Sequence, residues 1–366
     1  MSAERYSPEP RRSVKDRGIV IFFIFGILLS VGVIRWFGET SDRIGNEVLL
    51  AEAQSPQKDS PTTSLPDSAF LLSSDKFDTA LYLSGAVSGQ RVILVGDRGV
   101  ILVSADGGEQ FQQVPVPSRR MICDVTLSSD GTSFAVGHEG LVLRSRDFGE
   151  TWEKVHHDPE ADQALFSVVD LGNEHVVAAG AFGLVMVTRD GGKSWSKGEV
   201  NDEGPHLYSL KVTGDEVVAA GEFGSVLSSK DGGETWSALE SPYEGTLFDI
   251  LVTEDRWTLM GLRGNLWEGR PGEWTQVDHP SEATLFGGGV LADGTTVVVG
   301  AEGVVLMRSA QSGEWSQMKP KKDRRRLLSK PLLLPTGRVL GLGEKGFDSL
   351  ETTPDTDSSS EQGGPR

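Results

Sequence analysis

A short glycine element, Gly-x-x-Gly, recurs seven times in this chain and constrains its fold more than any other feature. Successive first glycines are 39 to 43 residues apart. A period of about 40 residues is typical of a β-propeller, in which each repeat forms one four-stranded blade. The sequence therefore predicts an all-β, seven-bladed β-propeller. The seven elements begin at Gly96, Gly137, Gly180, Gly221, Gly261, Gly300 and Gly343.

Short apolar runs flank each element, as at 91–95 and 100–103 around the first one. We expect the glycines to supply the turn between two strands, where a positive φ or a close backbone approach is required. The glycine content, 45 of 366 residues, agrees with many tight turns. The seven units fill residues 67–350, which we predict to be the propeller. We also expect the segment near 69–72 to add a strand to the seventh blade, because ring closure removes exposed sheet edges.

Four repeats continue with a second motif, in which Ser or Thr is followed by Asp, by glycine and by an aromatic residue. We predict a structural role for this Asp-box. The carboxylate accepts hydrogen bonds from backbone N–H groups of its own turn, and the aromatic ring packs between strands. The fifth and sixth repeats keep only the end of the motif, so we expect remodelled turns there. The predicted structural residues are Asp106, Asp147, Asp190, Asp231, Trp152, Trp195 and Trp236.

One further position recurs 13 or 14 residues before each glycine element. Its regularity predicts a buried core site at the start of the inner strand of each blade. Cys123, the only cysteine, falls at this position, which indicates a small buried hydrophobe rather than a reactive thiol. A single cysteine cannot form an intrachain disulfide. The residues at this position are Tyr82, Cys123, Phe166, Tyr208, Phe248 and Phe286.

Residues 18–37 form an apolar segment of about the length that a helix needs to cross a membrane. Residues 1–17 are rich in Arg, so the positive-inside rule predicts a basic cytoplasmic tail, a single-pass anchor in the bacterial inner membrane and a periplasmic propeller. A cleaved signal peptide is the alternative. The segment 38–66 is predicted to be a flexible linker, and the acidic tail 351–366 is predicted to be disordered.

The net charge of −18 argues against a nucleic-acid partner, because phosphate neutralisation supplies most of that affinity. One basic run, followed by Lys330, stands out in the connection to the last repeat, and a basic pair lies at an equivalent place in the second repeat. We predict that both reach one mouth of the ring and bind a carboxylate-bearing segment of a protein or anionic lipid. The alternative is a solvated loop that offsets nearby negative charge. The predicted partner-binding residues are Arg119, Arg120, Lys321, Lys322, Arg324, Arg325 and Arg326.

The combined repeat resembles those of the Asp-box (BNR) superfamily. Within it, the chain is most similar to the photosystem II stability/assembly-factor family and its non-photosynthetic bacterial relatives. The resemblance rests on the glycine element, the apolar strand and the Asp-box, and it covers about 67–350. It implies a seven-bladed propeller that binds membrane-protein partners and assists their assembly or stability. The non-photosynthetic relatives imply a role with inner-membrane transport complexes, including RND-type permeases.

The superfamily also includes sialidases, so a periplasmic glycoside hydrolase or a carbohydrate-binding propeller is the alternative function. A sialidase-like site needs an arginine cluster, a Tyr nucleophile with a neighbouring acid, and an Asp. Tyr243 is the one tyrosine outside the predicted cytoplasmic tail and the recurring core position. Apart from the adjacent His156 and His157, which would face opposite sides of a strand, the histidines show no ligand-like spacing. We therefore expect a non-enzymatic protein without a catalytic residue, metal or cofactor.

Overall fold

The structure is a computed structural model that describes residues 67–200, 204–318 and 326–350. The chain divides into two units, 1–64 and 65–366, and only the second contains described residues. No helix within the described residues is long and apolar enough to cross a membrane. Four predicted segments lie outside the described residues: the cytoplasmic tail 1–17, the membrane anchor 18–37, the linker 38–66 and the acidic tail 351–366.

The described strands form seven antiparallel sheets, and the order of the strands in each sheet follows their order in the chain. Each sheet is therefore a meander, and the seven sheets are the blades of the predicted propeller. The prediction of an all-β, seven-bladed β-propeller is confirmed. Six sheets have four strands, and the seventh has three.

The strands of the first four blades are as follows. Blade 1 contains β1 (Tyr82–Ser88), β2 (Arg91–Gly96), β3 (Ile101–Ser104) and β4 (Gln112–Gln113); blade 2 contains β5 (Ile122–Val125), β6 (Ser133–Gly137), β7 (Val142–Ser145) and β8 (Glu153–His156); blade 3 contains β9 (Leu165–Asp170), β10 (Val176–Gly180), β11 (Val185–Thr188) and β12 (Ser196–Lys197); and blade 4 contains β13 (Leu207–Thr213), β14 (Glu216–Gly221), β15 (Val226–Ser229) and β16 (Ser237–Ala238).

The remaining blades follow the same order. Blade 5 contains β17 (Leu247–Val252), β18 (Trp257–Gly261), β19 (Leu266–Arg270) and β20 (Glu273–Gln276); blade 6 contains β21 (Leu285–Val290), β22 (Thr296–Gly300), β23 (Val305–Arg308) and β24 (Trp315–Gln317); and blade 7 contains β25 (Leu328–Leu333), β26 (Val339–Gly343) and β27 (Gly346–Leu350).

The hydrophobic core is divided into seven clusters, and each cluster lies between two adjacent blades. Alternate residues of the second strand face opposite neighbours, as expected for a strand buried on both faces. In β10, for example, Val176 and Ala178 pack against blade 2, whereas Val177 and Ala179 pack against blade 4. Every blade thus depends on both of its neighbours for the burial of its apolar side chains.

The first glycine of each element is required by a close backbone approach. A Cβ atom on Gly180 would lie 1.9 Å from the carbonyl oxygen of Ala164, which immediately precedes the inner strand β9. The next residue, Ala181, donates a 2.8 Å backbone hydrogen bond to the same oxygen. The equivalent distance from a hypothetical Cβ is between 1.9 and 2.5 Å in all seven elements. Any side chain here would push the turn away from the inner strand.

The second half of each element adopts a left-handed conformation. The final glycine has a positive φ in every repeat, as at Gly183 with 69°. The residue before it also has a positive φ, between 53° and 61°, although it is never glycine. Its side chain is therefore held in a conformation that L-residues rarely adopt. The seven residues at this position are Arg98, Glu139, Phe182, Phe223, Arg263, Glu302 and Lys345.

The expected closing strand at 69–72 is not formed, and this prediction was wrong. The backbone N–H of Ala69 donates to the carbonyl oxygen of Val116, and Gln113 of β4 exchanges hydrogen bonds with Phe70 and Leu72. The segment therefore runs along the outer side of blade 1. Its groups are already satisfied there, so it adds no fourth strand to blade 7.

A short 3-10 helix, Ser74–Thr79, contacts the last strand β27 instead. Ring closure depends on side-chain packing rather than on a shared sheet. Tyr82 of β1 and Leu342 of β26 belong to one buried cluster, and the Ser329 hydroxyl donates to the Tyr82 carbonyl oxygen across the junction. This apolar cluster joins blade 7 to blade 1, which was the role expected of a closing strand at 69–72.

We predict that Gly180→Ala lowers the free energy of unfolding by about 3 kcal/mol, because the new Cβ overlaps the Ala164 carbonyl oxygen. Gly172→Ala is the matched control: its φ is +79° and no atom lies within 4 Å of a Cβ, so we expect a loss of about 1 kcal/mol. Chemical denaturation of both variants measures the difference. Equal losses would contradict the close-approach argument.

Candidate functional site

The two ends of the propeller carry different structures. The start of each inner strand pairs with the end of the second strand, as Leu165 does with Gly180. The seven glycine elements and the loops between blades therefore lie at one end, which we call the mouth face. The hairpins between the first and second strands and the Asp-box turns lie at the other end, which we call the box face.

Every inner strand begins with an irregularity in its pairing, and this irregularity builds the lining of the central channel. In β9 the register shifts between Leu165 and Ser167, so that Phe166 is the extra, bulged residue. The same shift occurs in the other six inner strands. A bulge turns its side chain away from the regular alternation of a strand. The bulged residues are Leu83, Cys123, Phe166, Tyr208, Phe248, Phe286 and Ser329.

The predicted core position needs two corrections. In the first blade the equivalent residue is Leu83, whereas Tyr82 lies one position earlier and is buried between blades 1 and 7. The other five residues line the central channel rather than the interior of a blade. The bulge explains the error, because it shifts the side chain by one position relative to the alternation that the sequence alone suggests. Cys123 is thus a half-buried channel residue, and burial raises the pKa of its thiol to about 12.

Four aromatic rings form a continuous arc along one side of the channel. The ring centroids of Phe166 and Tyr208 are 5.3 Å apart, those of Tyr208 and Phe248 are 5.2 Å apart, and those of Phe248 and Phe286 are 5.3 Å apart. These separations are typical of favourable aromatic pairs. On the other side of the channel the bulged residues are Leu83 and Cys123, which leave more space. The arc therefore makes the channel wall asymmetric.

The residues that directly follow six of the bulges form a polar girdle together with Lys211; its members are Ser84, Asp124, Ser167, Ser209, Asp249, Lys211 and Lys330. Its hydrogen bonds connect the inner strands of different blades. The buried Asp124 carboxylate of blade 2 accepts hydrogen bonds from the Ser84 hydroxyl of blade 1, at 2.6 Å, and from the Ser167 hydroxyl of blade 3, at 3.0 Å. It also accepts one from the backbone N–H of Val168. One carboxylate thus links three consecutive blades.

Asp249 plays the same part on the opposite side of the ring. Its carboxylate accepts hydrogen bonds from the Ser209 hydroxyl at 2.5 Å, from Lys211 Nζ at 2.9 Å and from the backbone N–H of Gly288 at 3.1 Å. Burial alone would raise the pKa of this carboxyl, but the positive charges of Lys211 and Lys330 and the Ser209 hydrogen bond hold it below its ordinary value. Asp249 is therefore ionised at neutral pH.

Lys330 completes the girdle from blade 7. Its Nζ atom lies 3.1 Å from the Ser84 hydroxyl oxygen and 3.6 Å from Asp124 Oδ1. Burial alone would lower the pKa of this amine, but Asp124 and Asp249 together keep it above its ordinary value. The girdle therefore contains two carboxylates and two ammonium groups in a shared, partly buried network.

The girdle residues were not among the predicted sites, although the sequence carries a signal for them. A polar or charged residue follows the recurring bulge position in six repeats, and glycine follows it in the sixth blade. Lys330 was noted only as the continuation of a basic run. The glycine elements and the Asp-boxes are local motifs that a sequence shows directly. The charged groups that meet in the channel are about 40 or more residues apart in sequence, so no such motif connects them.

The mouth face carries two of the three exposed aromatic side chains of the described residues, and the third lies beside it. Phe182 and Phe223 occupy the left-handed position of adjacent glycine elements and are 60% and 54% exposed. Phe70 is 61% exposed, next to blade 1. The Phe182 ring meets His206 edge-on at 4.5 Å, and His206 in turn lies 6.1 Å from the Tyr208 ring. An aromatic track therefore runs from the mouth face to the channel arc.

Much of the predicted basic surface lies outside the described residues, namely Lys321, Lys322, Arg324 and Arg325. The described members are engaged in contacts within the chain. The Arg119 guanidinium donates to the Ser68 carbonyl oxygen and lies 4.0 Å from the centroid of the Phe70 ring. Arg120 forms a 2.6 Å ion pair with Glu139. Both arginines lie in the loop between blades 1 and 2, on the mouth face.

Arg326 precedes the inner strand of blade 7, at the place equivalent to Arg120. Its side chain is only 10% exposed, and it pairs with Asp348 at 2.8 Å and donates to the Lys345 carbonyl oxygen. The contacts connect the start of β25 with the glycine element and β27 of the same blade. Replacement of Arg326 would therefore disturb blade 7 as well as any partner contact.

The Asp-box turns lie on the box face. In the fourth box the Asp231 carboxylate accepts hydrogen bonds from the backbone N–H groups of Glu234 and Thr235, at 3.1 and 3.0 Å, and from the Thr235 hydroxyl at 2.6 Å. The Thr235 and Ser229 hydroxyls and these N–H groups lower the pKa of Asp231 to about 2. The carboxylates of Asp106, Asp147 and Asp190 accept equivalent hydrogen bonds in the other three boxes.

The tryptophans of the boxes pack between neighbouring blades. Trp152 belongs to the cluster between blades 1 and 2, Trp195 contacts the cluster between blades 2 and 3, and Trp236 contacts the one between blades 3 and 4. The indole N–H of Trp152 donates to Gly149 and that of Trp236 to Gly233, in each case within the same turn. Trp274 and Trp315 occupy the corresponding clusters of blades 5 and 6.

The candidate tyrosine of a sialidase-like site is half-buried on the mouth face. Burial raises the pKa of Tyr243, and the nearby Arg263 opposes that shift. A raised pKa disfavours the phenolate that a nucleophile requires. His157 contacts Glu139, whereas His156 contacts the Gly140 carbonyl oxygen. Among the described residues, no group of three or more His, Cys, Asp or Glu is placed to hold a metal ion.

We predict that Asp249→Asn lowers the free energy of unfolding by about 3 kcal/mol at pH 7, because it leaves Lys211 without its buried charge partner. The folded-state pKa of Asp249 is depressed, so its contribution is present above about pH 4 and is lost as the pH falls through the folded pKa. The difference between wild type and variant should therefore shrink below about pH 4.

Denaturation at several pH values measures this effect. The exposed Asp215, in the hairpin between β13 and β14, gives the control: Asp215→Asn should change stability by less than about 0.5 kcal/mol. A constant difference between wild type and Asp249→Asn down to about pH 2 would contradict the assignment of a depressed pKa.

We predict a smaller effect for the Asp-box. Asp231→Asn should lower stability by about 1 kcal/mol at pH 7, because an amide is a weaker acceptor for the four hydrogen bonds of the turn. The loss should disappear as the pH falls from about 4 towards 2. Glu240→Gln, an exposed carboxylate of the same blade, should be neutral in thermal denaturation. A neutral Asp231→Asn would show that the turn is held by its glycines alone.

Comparison with known proteins gives the family. A family model described as photosynthesis system II assembly factor YCF48 matches residues 104–328. A solved structure of YCF48 bound to a D1 peptide is 20% identical, with a TM-score of 0.62, and the match covers 74% of this chain and 92% of that one. YCF48 from Cyanidioschyzon merolae is 18% identical, with a TM-score of 0.61 and coverages of 74% and 94%.

The fold is also shared more widely. A streptogramin B lyase superposes with a TM-score of 0.65 at 12% identity, covering 79% of this chain and 95% of that one. Structural likeness at such low identity shows the fold alone. No curated protein sequence matches the chain. The family model, however, spans more than half of the sequence. The chain therefore belongs to the family of the photosystem II assembly factor YCF48.

Proposed function

We propose that this protein is a non-enzymatic assembly or stability factor that binds a protein partner through the mouth face of its propeller. The observation that carries the proposal is the location of Phe70, Phe182 and Phe223. They are the exposed aromatic side chains of the described residues: Phe182 and Phe223 lie on the mouth face, and Phe70 lies beside blade 1 against Arg119 of that face. Exposed aromatic residues combined with arginines are typical of the centre of protein interfaces. The bound D1 peptide in the structure of a family member supports a peptide or protein ligand.

The backbone at two of these residues strengthens the argument. Phe182 and Phe223 both have a φ of 55°, which costs about 1 kcal/mol for a residue with a side chain. At the other five equivalent positions the residue is charged. Arg98, Arg263, Glu302 and Lys345 are exposed, and Glu139 is half-buried in an ion pair with Arg120. At Phe182 and Phe223 two unfavourable features therefore occur together: a strained backbone and an exposed apolar side chain. A binding role accounts for both.

The arginines of the mouth face give the surface its polar part. Arg119 lies over the Phe70 ring, so the two side chains form one continuous surface. Arg120 is 41% exposed at its side chain despite its ion pair with Glu139. We propose that this surface and the basic run 319–326 bind a carboxylate-bearing segment of the partner, with anionic lipid as a further ligand.

We further propose that residues 18–37 anchor the protein in the bacterial inner membrane, with the propeller in the periplasm. The apolar composition and the basic residues before the segment support this proposal. An anchored propeller has a high effective concentration near integral-membrane proteins. The proposed partner is accordingly an integral inner-membrane protein or a transport complex, such as an RND-type transporter.

The alternative function, a glycoside hydrolase, requires one carboxylic acid with a raised pKa to protonate the leaving group. In the channel, Asp249 has a depressed pKa and its carboxylate accepts hydrogen bonds from four other residues. Its environment favours a permanently ionised, structural group. The proposal of a binding protein therefore fits the channel chemistry better than the hydrolase does.

We predict that the double variant Phe182→Asn/Phe223→Asn loses its membrane-protein partner while it keeps its fold. Asparagine accepts the left-handed conformation, so the substitution removes the rings and even relieves backbone strain. Crosslinking in intact cells, followed by a pull-down in mild detergent and mass spectrometry, should show at least about a tenfold lower recovery of the partner. Thermal denaturation should show an unchanged or higher melting temperature.

The control removes exposed apolar groups from the opposite end of the ring. Val212 and Val290 are exposed near hairpins of the box face, so Val212→Thr/Val290→Thr should leave the recovery unchanged. Full recovery with the phenylalanine variant would overturn the mouth-face proposal. If wild-type protein recovers only soluble glycans or small molecules, the assembly-factor proposal fails as a whole.

A further inference from the structure

The central channel contains a small cavity that the proposed partner contacts of the mouth face do not use. Its volume is about 80 Å³, and side chains from all seven blades line it. Such a volume is several times that of the space needed for one water molecule. The aromatic arc forms one wall, and the polar girdle lies at the same level. The cavity therefore has both an apolar and a charged surface.

Most of the carboxylate and hydroxyl oxygens of the girdle already accept hydrogen bonds from other groups of the chain. The Asp124 carboxylate receives the Ser84 and Ser167 hydroxyls and the Val168 N–H, with Lys330 nearby. The serine oxygens are occupied in their turn: the Ser167 hydroxyl oxygen accepts from the Leu210 N–H. A carboxylate has about four acceptor positions, so little capacity remains for a cation or for a donor ligand.

Asp249 shows the same saturation. Its two oxygens receive the Ser209 hydroxyl, Lys211 Nζ and the backbone N–H groups of Ile250 and Gly288. The Ser209 hydroxyl, which donates to Asp249, accepts from Lys211. Asp249 thus has four donors and Asp124 has three, so the two carboxylates leave little acceptor capacity for a positively charged ligand in this part of the cavity.

The two lysines differ from the carboxylates because they retain donors. An ammonium group has three N–H donors. Lys211 Nζ has two acceptors, Ser209 Oγ and Asp249 Oδ1, and Lys330 Nζ has Ser84 Oγ within hydrogen-bond distance and Asp124 at 3.6 Å. Both side chains are 26% exposed and border the cavity. The spare capacity of the cavity thus consists of positively charged donors.

We propose that the central channel binds a small carboxylate with a short apolar body, whose carboxylate accepts hydrogen bonds from Lys211 and Lys330 and whose body packs against the Phe166–Tyr208–Phe248–Phe286 arc. The volume of the cavity restricts the ligand to a few heavy atoms. A single negative charge suits a site that already holds two carboxylates, whereas a phosphate dianion would meet stronger repulsion from Asp124 and Asp249. The carboxylate belongs to a free small acid or to the end of a peptide chain.

The first experiment titrates the full-length protein in mild detergent with propionate by calorimetry. We expect saturable binding of propionate with a Kd of about 1 mM or tighter. Propionamide has the same shape without the charge, and it should bind at least about tenfold more weakly. Absence of propionate binding up to about 10 mM, or equal binding of propionamide, would overturn the proposal.

Cys123 supplies a matched pair of variants that leave both lysines in place. The residue faces the cavity at the bulge position, where three other blades carry phenylalanine, so Cys123→Phe should fold. It fills the open side of the channel and should abolish propionate binding. Cys123→Ser keeps the space and should retain the affinity within about threefold. Equal affinities in the two variants would show that propionate binds elsewhere.

A second pair of ligands distinguishes the two sources of the carboxylate. A dipeptide that ends in alanine is compared with its C-terminal amide. Tighter binding of the free dipeptide than of propionate supports a chain end as the ligand, whereas tighter binding of propionate supports a free acid. Equal binding of the dipeptide and its amide, together with no response to propionate, would contradict the site. The Phe182→Asn/Phe223→Asn variant should bind propionate normally, so failure of the mouth-face proposal and failure of the channel proposal are distinguishable.

Discussion

The contact between each glycine element and the start of the inner strand sets the geometry of the whole ring. In all seven repeats a backbone N–H of the element donates to the carbonyl oxygen just before the inner strand, at 2.8 to 3.1 Å. The first glycine permits this approach because it has no Cβ. The bulge follows directly, and in six of the seven blades it turns the bulged side chain into the channel. The channel lining is therefore a consequence of the same contact that holds the strands together.

Two kinds of interaction then join the blades. The apolar clusters between blades bury most of the hydrophobic side chains and are non-directional, so they tolerate variation from repeat to repeat. The girdle is directional: Asp124 alone links three blades through donors at defined distances. Its groups lie where they are poorly solvated, so each must be paired. This combination fixes the register of the ring around its axis, including the junction at blade 7, which has three strands among the described residues.

The two ends of the propeller serve different purposes as a result. The box face contains turns whose carboxylates are satisfied locally, as at Asp231, and it needs no external partner. The mouth face contains left-handed turns whose side chains project outwards, and two of these side chains are exposed phenylalanines. Since the backbone of these turns is dictated by the blade, the side chain at the left-handed position is free to vary. The proposed partner surface lies on this face, and the inner strands that line the proposed channel site begin at the same end.

The sequence by itself determined the number of blades, their boundaries and the family, because those features depend on local, repeated backbone requirements. Gly180 must be glycine, and Asp231 bonds within its own turn, so both leave a pattern that is visible without a structure. The position of the segment 69–72 could not be predicted in this way, since its hydrogen bonds are made to residues more than 40 positions away.

Only the tertiary structure decided what the recurring position near the start of the inner strand does. Alternation along a strand indicated a core residue, but the bulge moves Phe166 and Cys123 into the channel. The meeting of Asp249 with Lys211 and Lys330 likewise depends on ring closure, which brings together residues from blades 4, 5 and 7. Charged residues that are far apart in sequence come together in the channel only when the ring is closed. No local sequence pattern predicts that they will be neighbours.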